Sequence, residues 1–410
     1  MDSHKAQITD LFRLVDAKSI DLWDWIGLYD GDLTLSYINQ SKEYVINTIS
    51  HGLEGANDVF VTVSRDKFFS IVFSKIGEHL VQKSKTDLSS LINTALSEAR
   101  SMELKRGVII RQSIGLKFPE NELEFASFKC FKYPEAPPFD PNTIINKNVL
   151  KPGLYISTPI IEFRDDKKAY QLANELFEDF CNLIYYMVGP ERDDCIVKTG
   201  EASNTNPEYG HFYAGKRSEY ILIDNSLYGY SLKNNIKTLI DIADPHFSSA
   251  SNGNKQLQDI FYHHLKRKQE NTLKARIVKA TSWVGKSIST QNAEESFLYA
   301  TIALEILFSY DGKGIFQPSI GSVISEAVAV LVGHDVQSRI KTMTEMNKLY
   351  GIRSAIVHRG KTHISLGDRN KIILYAKICI GTLVTKDEYT SLTSIQELVK
   401  YFRELKMSFG

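Results

Sequence analysis

The stretch Asn292-Ala-Glu-Glu-Ser-Phe-Leu-Tyr-Ala-Thr-Ile-Ala-Leu-Glu-Ile-Leu-Phe308 reads as a helix, because Phe297, Ala300, Leu304 and Phe308 recur at intervals of three and four residues. Its neighbours follow the same period. Upstream, Gln256 to Trp283 forms one helical segment with a candidate break near Gln269. Downstream, Asp311-Gly-Lys-Gly314 closes the first helix, and Pro318 opens another through Val332, stopped by Gly333. Val336 to Val357, Asp368 to Val384 and Ser391 to Lys406 complete a run of helices. Residues 255–410 are therefore expected to form an all-α bundle of domain size.

Residues 1–254 read differently, as an α+β region of one or two subdomains. Val59-Phe-Val-Thr-Val63 and Phe68-Phe-Ser-Ile-Val-Phe73 flank a polar Ser-Arg-Asp-Lys segment, which predicts a β-hairpin. Thr86 and Asp87 are expected to cap a helix reaching Met102. Strands are expected at Gly107 to Phe118, Leu123 to Tyr133 and Leu154 to Phe163, with the proline-rich segment Tyr133 to Pro141 as a loop. Asp165-Asp166 starts a long amphipathic helix that Gly189-Pro190 ends. Gly200 to Gly215 reads as a polar loop before a strand at Tyr220 to Asp224, and Ser248 to Asn254 as the interdomain linker.

Net charge is zero but unevenly placed. Residues 255–410 hold 22 Lys and Arg against 14 Asp and Glu, a net of +8; since the whole chain carries 49 of each, residues 1–254 keep 27 against 35, a net of −8. A basic portion joined to an acidic one suits contact with a polyanion, with the acidic part as a sensor, target-recognition or masking region for an unknown trigger. Cys130, Cys181, Cys195 and Cys379 form no Cys-x-x-Cys pair, so neither a disulfide scaffold nor a zinc knuckle is expected. No apolar leader precedes Asp16, and the stretch Phe297 to Tyr310 contains Glu305 and is too short to span a bilayer. A cytoplasmic protein without a membrane segment, metal or cofactor is expected, and neither a phosphate-binding nor a dinucleotide-binding glycine motif occurs.

Chemistry-bearing side chains gather in Lys348-Leu-Tyr-Gly-Ile-Arg-Ser-Ala-Ile-Val-His-Arg-Gly-Lys361. An imidazole titrating near neutrality can move the proton of a ribose 2′-hydroxyl or of a leaving 5′-oxygen, and a guanidinium can hold the phosphate on which charge builds. Arg353 and His358 are those two groups. On an unbroken helix, five steps set them about 140° apart, unless the helix ends between them, and Gly360 offers such an end. Glu305 stands inside an apolar helix, either orienting Arg353 or His358 or serving in a structural ion pair. Ser354 adds a hydroxyl to the site or packs the helix. Arg359 and Lys361 flank the pair as phosphate contacts, and Arg276 and Lys279, in the basic run Lys266 to Lys286, either track an RNA backbone or form a solvated face.

These segments resemble the HEPN superfamily, in particular the ApeA-like HEPN domains of bacterial defence proteins, over about Leu273 to Val384. Ala275 to Lys286, with Trp283, is similar to the first helix of that family; Phe297 to Phe308, with Ala303-Leu-Glu305, to the second; and Leu349 to Gly360 to its Arg-x-x-x-x-His motif. The resemblance implies a helical bundle that dimerises to place two motifs in one cleft, and metal-independent endoribonuclease activity. It also implies a setting in antiphage defence by toxic RNA cleavage and abortive infection, tRNA being one target class. A two-fold axis there would bring the surface around Ile352 and Ile356 against its own copy. The alternative is a catalytically silent HEPN module for dimerisation and RNA binding.

Overall fold

A computed structural model describes residues 57–81, 88–136, 153–190, 197–199, 205–206, 211–223, 226–235, 238–267, 272–310, 319–359 and 363–408. It shows a sheet region and a helical C-terminal part, and the chain divides into two compact units. One holds residues 1–109 and 159–175, the other 110–158 and 176–410.

In the first unit, α1 (Asn57–Phe60) and α2 (Arg65–Val81) stand where the alternation of apolar residues predicted a hairpin. The Ser-Arg-Asp-Lys segment is a helix start, not a turn. Ser64 Oγ accepts a hydrogen bond from the Lys67 amide at 3.2 Å, and Asp66 lies in the first turn, where the helix dipole favours an acid. Asp165 secures the cap by accepting from both the Ser64 amide at 2.8 Å and its hydroxyl at 2.7 Å. Phe68, Ile71 and Val72 then lie on one face, buried with Ile92, Ala95, Leu96 and Ala99 of α3 (Leu88–Ser101). The expected caps Thr86 and Asp87 lie outside the described residues.

The strands β1 (Lys105–Ile114), β2 (Leu116–Lys117), β3 (Glu122–Phe125), β4 (Phe128–Tyr133) and β5 (Gly153–Phe163) cover the three expected strand regions. With β6 (Lys198–Thr199), four of them form a five-stranded sheet in the order β3-β4-β5-β1-β6. Within the second unit, β3 and β4 form a hairpin that pairs Phe125 with Phe128, and β4 pairs Phe131 with Tyr155. Phe125 and Phe128 meet Phe180 of α4 (Asp166–Val188) at ring distances of 5.8 and 4.8 Å. Phe180, Leu183, Ile184 and Met187 of the apolar face of α4 are buried. The segment expected to be a loop at 200–215 contains β7 (Thr205–Asn206) and the start of β8 (His211–Ile223), which pairs with β9 (Ser226–Asn235). The short β10 (Ile240–Asp241) runs parallel to β2.

Eight helices follow among the described residues: α5 (Asn254–Arg267), α6 (Leu273–Ser289), α7 (Ala293–Phe308), α8 (Ile320–Val332), α9 (Val336–Arg359), α10 (Leu366–Thr385), α11 (Asp387–Thr390) and α12 (Ile395–Ser408). Thr272, Asn292, Ser319 and Ser365 cap α6, α7, α8 and α10, each side-chain oxygen accepting from the amide three residues on.

The expected boundary before Lys255 does not separate compact units. Ser248 to Asn254 is an ordered turn: the Asn254 side chain donates through Nδ2 to the His246 carbonyl at 2.8 Å, and the Lys255 backbone N–H to the Ser249 carbonyl at 3.1 Å. Gln258 of α5 donates to the Phe247 carbonyl at 2.7 Å and accepts from the Ala126 amide at 3.3 Å. Further along, α6 meets α4 so closely that a Cβ at Gly285 would lie 1.9 Å from the Asn182 carbonyl oxygen. Ser282 donates to Asp179 at 2.7 Å beside this crossing.

Candidate functional site

Glu305 stands in the last turn of α7, within a helix whose Leu304, Leu307 and Phe308 are buried. Arg276 of α6 closes that helix, its Nη1 donating to the carbonyls of Ile306 at 2.7 Å and Ser309 at 2.8 Å. A cation at a helix C-terminus satisfies orphan carbonyls and meets the negative end of the dipole. Arg276, expected on an RNA-binding face, is thus committed through Nη1 to the scaffold beneath Glu305.

Across from Glu305 lies α9. Arg353 Nε meets Glu305 Oε1 at 3.1 Å and Nη2 meets Oε2 at 3.4 Å, a side-on pair whose side chains are 26% and 21% exposed. The Tyr350 hydroxyl donates to Glu305 Oε1 at 3.0 Å, and the Arg353 guanidinium carbon lies 5.8 Å from the Tyr350 ring centre. Burial, then the charge of Glu305 and its hydrogen bond, push the Tyr350 phenol up to about 12. The ring in turn fills the space left by Gly321 of α8, where a Cβ would lie 2.6 Å from it. The partner of Glu305 is Arg353, an ion pair that fits both the orienting and the structural reading of this carboxylate.

His358 is exposed near the end of α9 and makes no hydrogen bond or ion pair among the described residues. The helix does not end between the pair, as Gly360 allowed, but continues through Arg359. Five residues on a continuous helix separate the two side chains by about 140° and about 7.5 Å of rise. One chain therefore presents Arg353 beside α7 and His358 to solvent, without uniting them.

Ser354 is half-buried and makes no hydrogen bond among the described residues. Lys279 is exposed; the Arg359 side chain and all of Lys361 lie outside the described residues. The basic run is not one free face, since Lys286 pairs with Glu178 at 3.2 Å and lies over the rings of Trp283 and Tyr299. Ile352, expected at an interface, is buried in the core, and Ile356 is half-buried. The exposed apolar residues of α9 are instead Val336, Ile340 and Val357, which project with His358 within an arc of about 100°.

No family model, curated protein or solved structure matches the chain. Among the described residues, no group of three or more His, Cys, Asp or Glu is arranged to hold a metal ion, and no helix is long and apolar enough to cross a membrane. Burial pushes the thiol of Cys130 up to about 12, and Cys130, Cys181 and Cys379 are free. Tyr350 was missed in the sequence, although its place one helical turn before Arg353 was a readable signal.

Proposed function

We propose that the chain is a metal-independent endoribonuclease of the HEPN type, acting as a toxic RNA-cleaving effector in bacterial antiphage defence, with tRNA as one target class. The observation that carries this reading is the oriented guanidinium of Arg353, tethered to Glu305, five residues before a solvent-facing imidazole on the same helix. Arg353 holds the scissile phosphate and stabilises the charge that builds on it. His358 takes the proton of the 2′-hydroxyl or delivers one to the leaving 5′-oxygen. The attacking oxygen belongs to the RNA itself, so the products are a 2′,3′-cyclic phosphate and a 5′-hydroxyl. Arg359, Lys361 and Lys279 supply sequence-independent phosphate contacts.

Because the two side chains diverge on one helix, the reading requires a dimer in which α9 faces its copy, with Val336, Ile340 and Val357 as the apolar contact. The same divergence is the feature favouring the second reading, a silent dimerisation and RNA-binding module. Incubation of the purified protein with total RNA in EDTA, followed by analysis of fragment ends, separates the two. Cyclic phosphate ends that persist under chelation support the ribonuclease; intact RNA retained in a gel shift supports the binding module.

A further inference from the structure

In a bare side-on pair, a carboxylate can swing along the guanidinium and occupy the edge that a phosphate needs. Glu305 is restrained against this from a second direction. Its Oε1 accepts from Arg353 Nε at 3.1 Å and from the Tyr350 hydroxyl at 3.0 Å, so the phenol pins the carboxylate on the Nε side. Tyr350 and Arg353 are three apart on α9 and therefore neighbours on its surface. The ring cannot retreat toward α8 without losing its place over Gly321, the position at which a side chain would collide with it. Among the described residues, Arg353 Nη1 is engaged by no carboxylate.

We propose that Tyr350 is a positioning residue for Arg353: its hydroxyl fixes Glu305 against Nε, leaving the Nη1–Nη2 edge of the guanidinium turned out to receive a phosphate of an RNA strand. This rests on the ribonuclease reading for the identity of the phosphate, but not for the tether itself. With the phenol pushed up to about 12, the hydroxyl stays a donor throughout the neutral range. Gly321 is the second half of the device, because it sets the ring's depth.

The test uses the full chain and the variants Tyr350→Phe, Gly321→Ala and Glu305→Gln, with kinetics on a short RNA and NMR detection of the Arg353 Nε–H, assigned by its loss in Arg353→Lys. Tyr350→Phe keeps the ring, its packing and its contact with the guanidinium. It is expected to lower kcat roughly three- to tenfold, the worth of one ordinary hydrogen bond, with KM changed less than about twofold. The Nε–H should exchange faster with water in the same variant. Gly321→Ala should shift both readouts in the same direction although the phenol is retained, and Tyr350→Phe should add no further loss in a Glu305→Gln background. Wild-type kcat and unchanged Nε–H exchange in Tyr350→Phe would overturn the proposal, as would a loss that adds in full to that of Glu305→Gln. Should the wild-type protein cleave no RNA, the ribonuclease reading falls alone, and the exchange of the Arg353 Nε–H still decides whether Tyr350 holds it.

Discussion

Replacing Gly285 by alanine should destabilise the protein even though alanine is the better helix former. In an exposed helix the exchange is favourable by about 1 kcal/mol. At Gly285 the new Cβ would lie 1.9 Å from the Asn182 carbonyl oxygen and 2.7 Å from its Cα, against ordinary contact distances of about 3.4–4 Å. Because the atoms it meets are backbone, α6 and α4 must separate by about 1.5 Å. That separation stretches the Ser282–Asp179 hydrogen bond of 2.7 Å and thins the packing between the helices. Overpacking of this kind costs about 1–3 kcal/mol, and the lost hydrogen bond about 1 kcal/mol more, so after the propensity gain a net loss of about 2 kcal/mol is expected. For a unit of this size that corresponds to a fall in Tm of roughly 3–4 °C. Gly351 provides the control: it lies exposed in α9 with nothing within 4 Å of an added Cβ, so Gly351→Ala should raise stability by up to about 1 kcal/mol. Thermal and denaturant unfolding of the two variants measure both effects. A Gly285→Ala protein as stable as wild type would refute the close helix crossing, and with it the inclusion of the sheet residues and the helical part in one unit.

Arg276→Ala should cost about 1–2 kcal/mol of stability, since two carbonyls at the end of α7 lose their donor, while leaving the salt dependence of RNA binding unchanged; a lowered salt slope would return Arg276 to the RNA face. The hydrogen bond from Tyr375, assisted by Lys371, holds the Glu345 carboxyl below its ordinary value of 4.5, so this pairing stabilises the fold above about pH 4.5 and is lost as pH falls through the lowered value. The stability gap between wild type and Tyr375→Phe should therefore be wider at pH 6 than at pH 3.5 in unfolding titrations, and a gap that widens on acidification would contradict the sign. Val357→Asp, at a position 50% exposed, should leave unfolding within about 0.5 kcal/mol of wild type yet separate protomers and abolish cleavage, as read by light scattering and activity on the same samples.

The longer helices after Asn254 were legible from their repeating apolar faces, and the helix start at Asn292 is also its cap; Ser319 and Ser365 cap one and three residues from the expected starts at Pro318 and Asp368. The segment 59–73 was misread because short runs of Val, Ile and Phe suit a strand and a buried helix equally, and Ser64 decides only when Asp165 joins it from a distant part of the chain. Likewise a Ser, Asn and Gly segment looks like a linker until its hydrogen bonds to His246 and Ser249 are seen. At the site, Glu305 stood out as a carboxylate in an apolar helix, and it is paired with Arg353. The function of Arg276 as a helix cap could not be read from its basic neighbours, since the carbonyls it serves are some thirty residues away in the chain.

Single-turnover cleavage of a defined RNA by the wild-type, Arg353→Ala and His358→Ala proteins, with the fragment ends identified, tests the central claim most directly. Removing either the phosphate-holding cation or the proton-transferring imidazole should lower the rate by at least about a hundredfold without altering the circular dichroism spectrum. The wild-type products should carry 2′,3′-cyclic phosphate and 5′-hydroxyl ends, with or without EDTA. Cleavage by His358→Ala at the wild-type rate, or 5′-phosphate ends from the wild-type protein, would contradict the account.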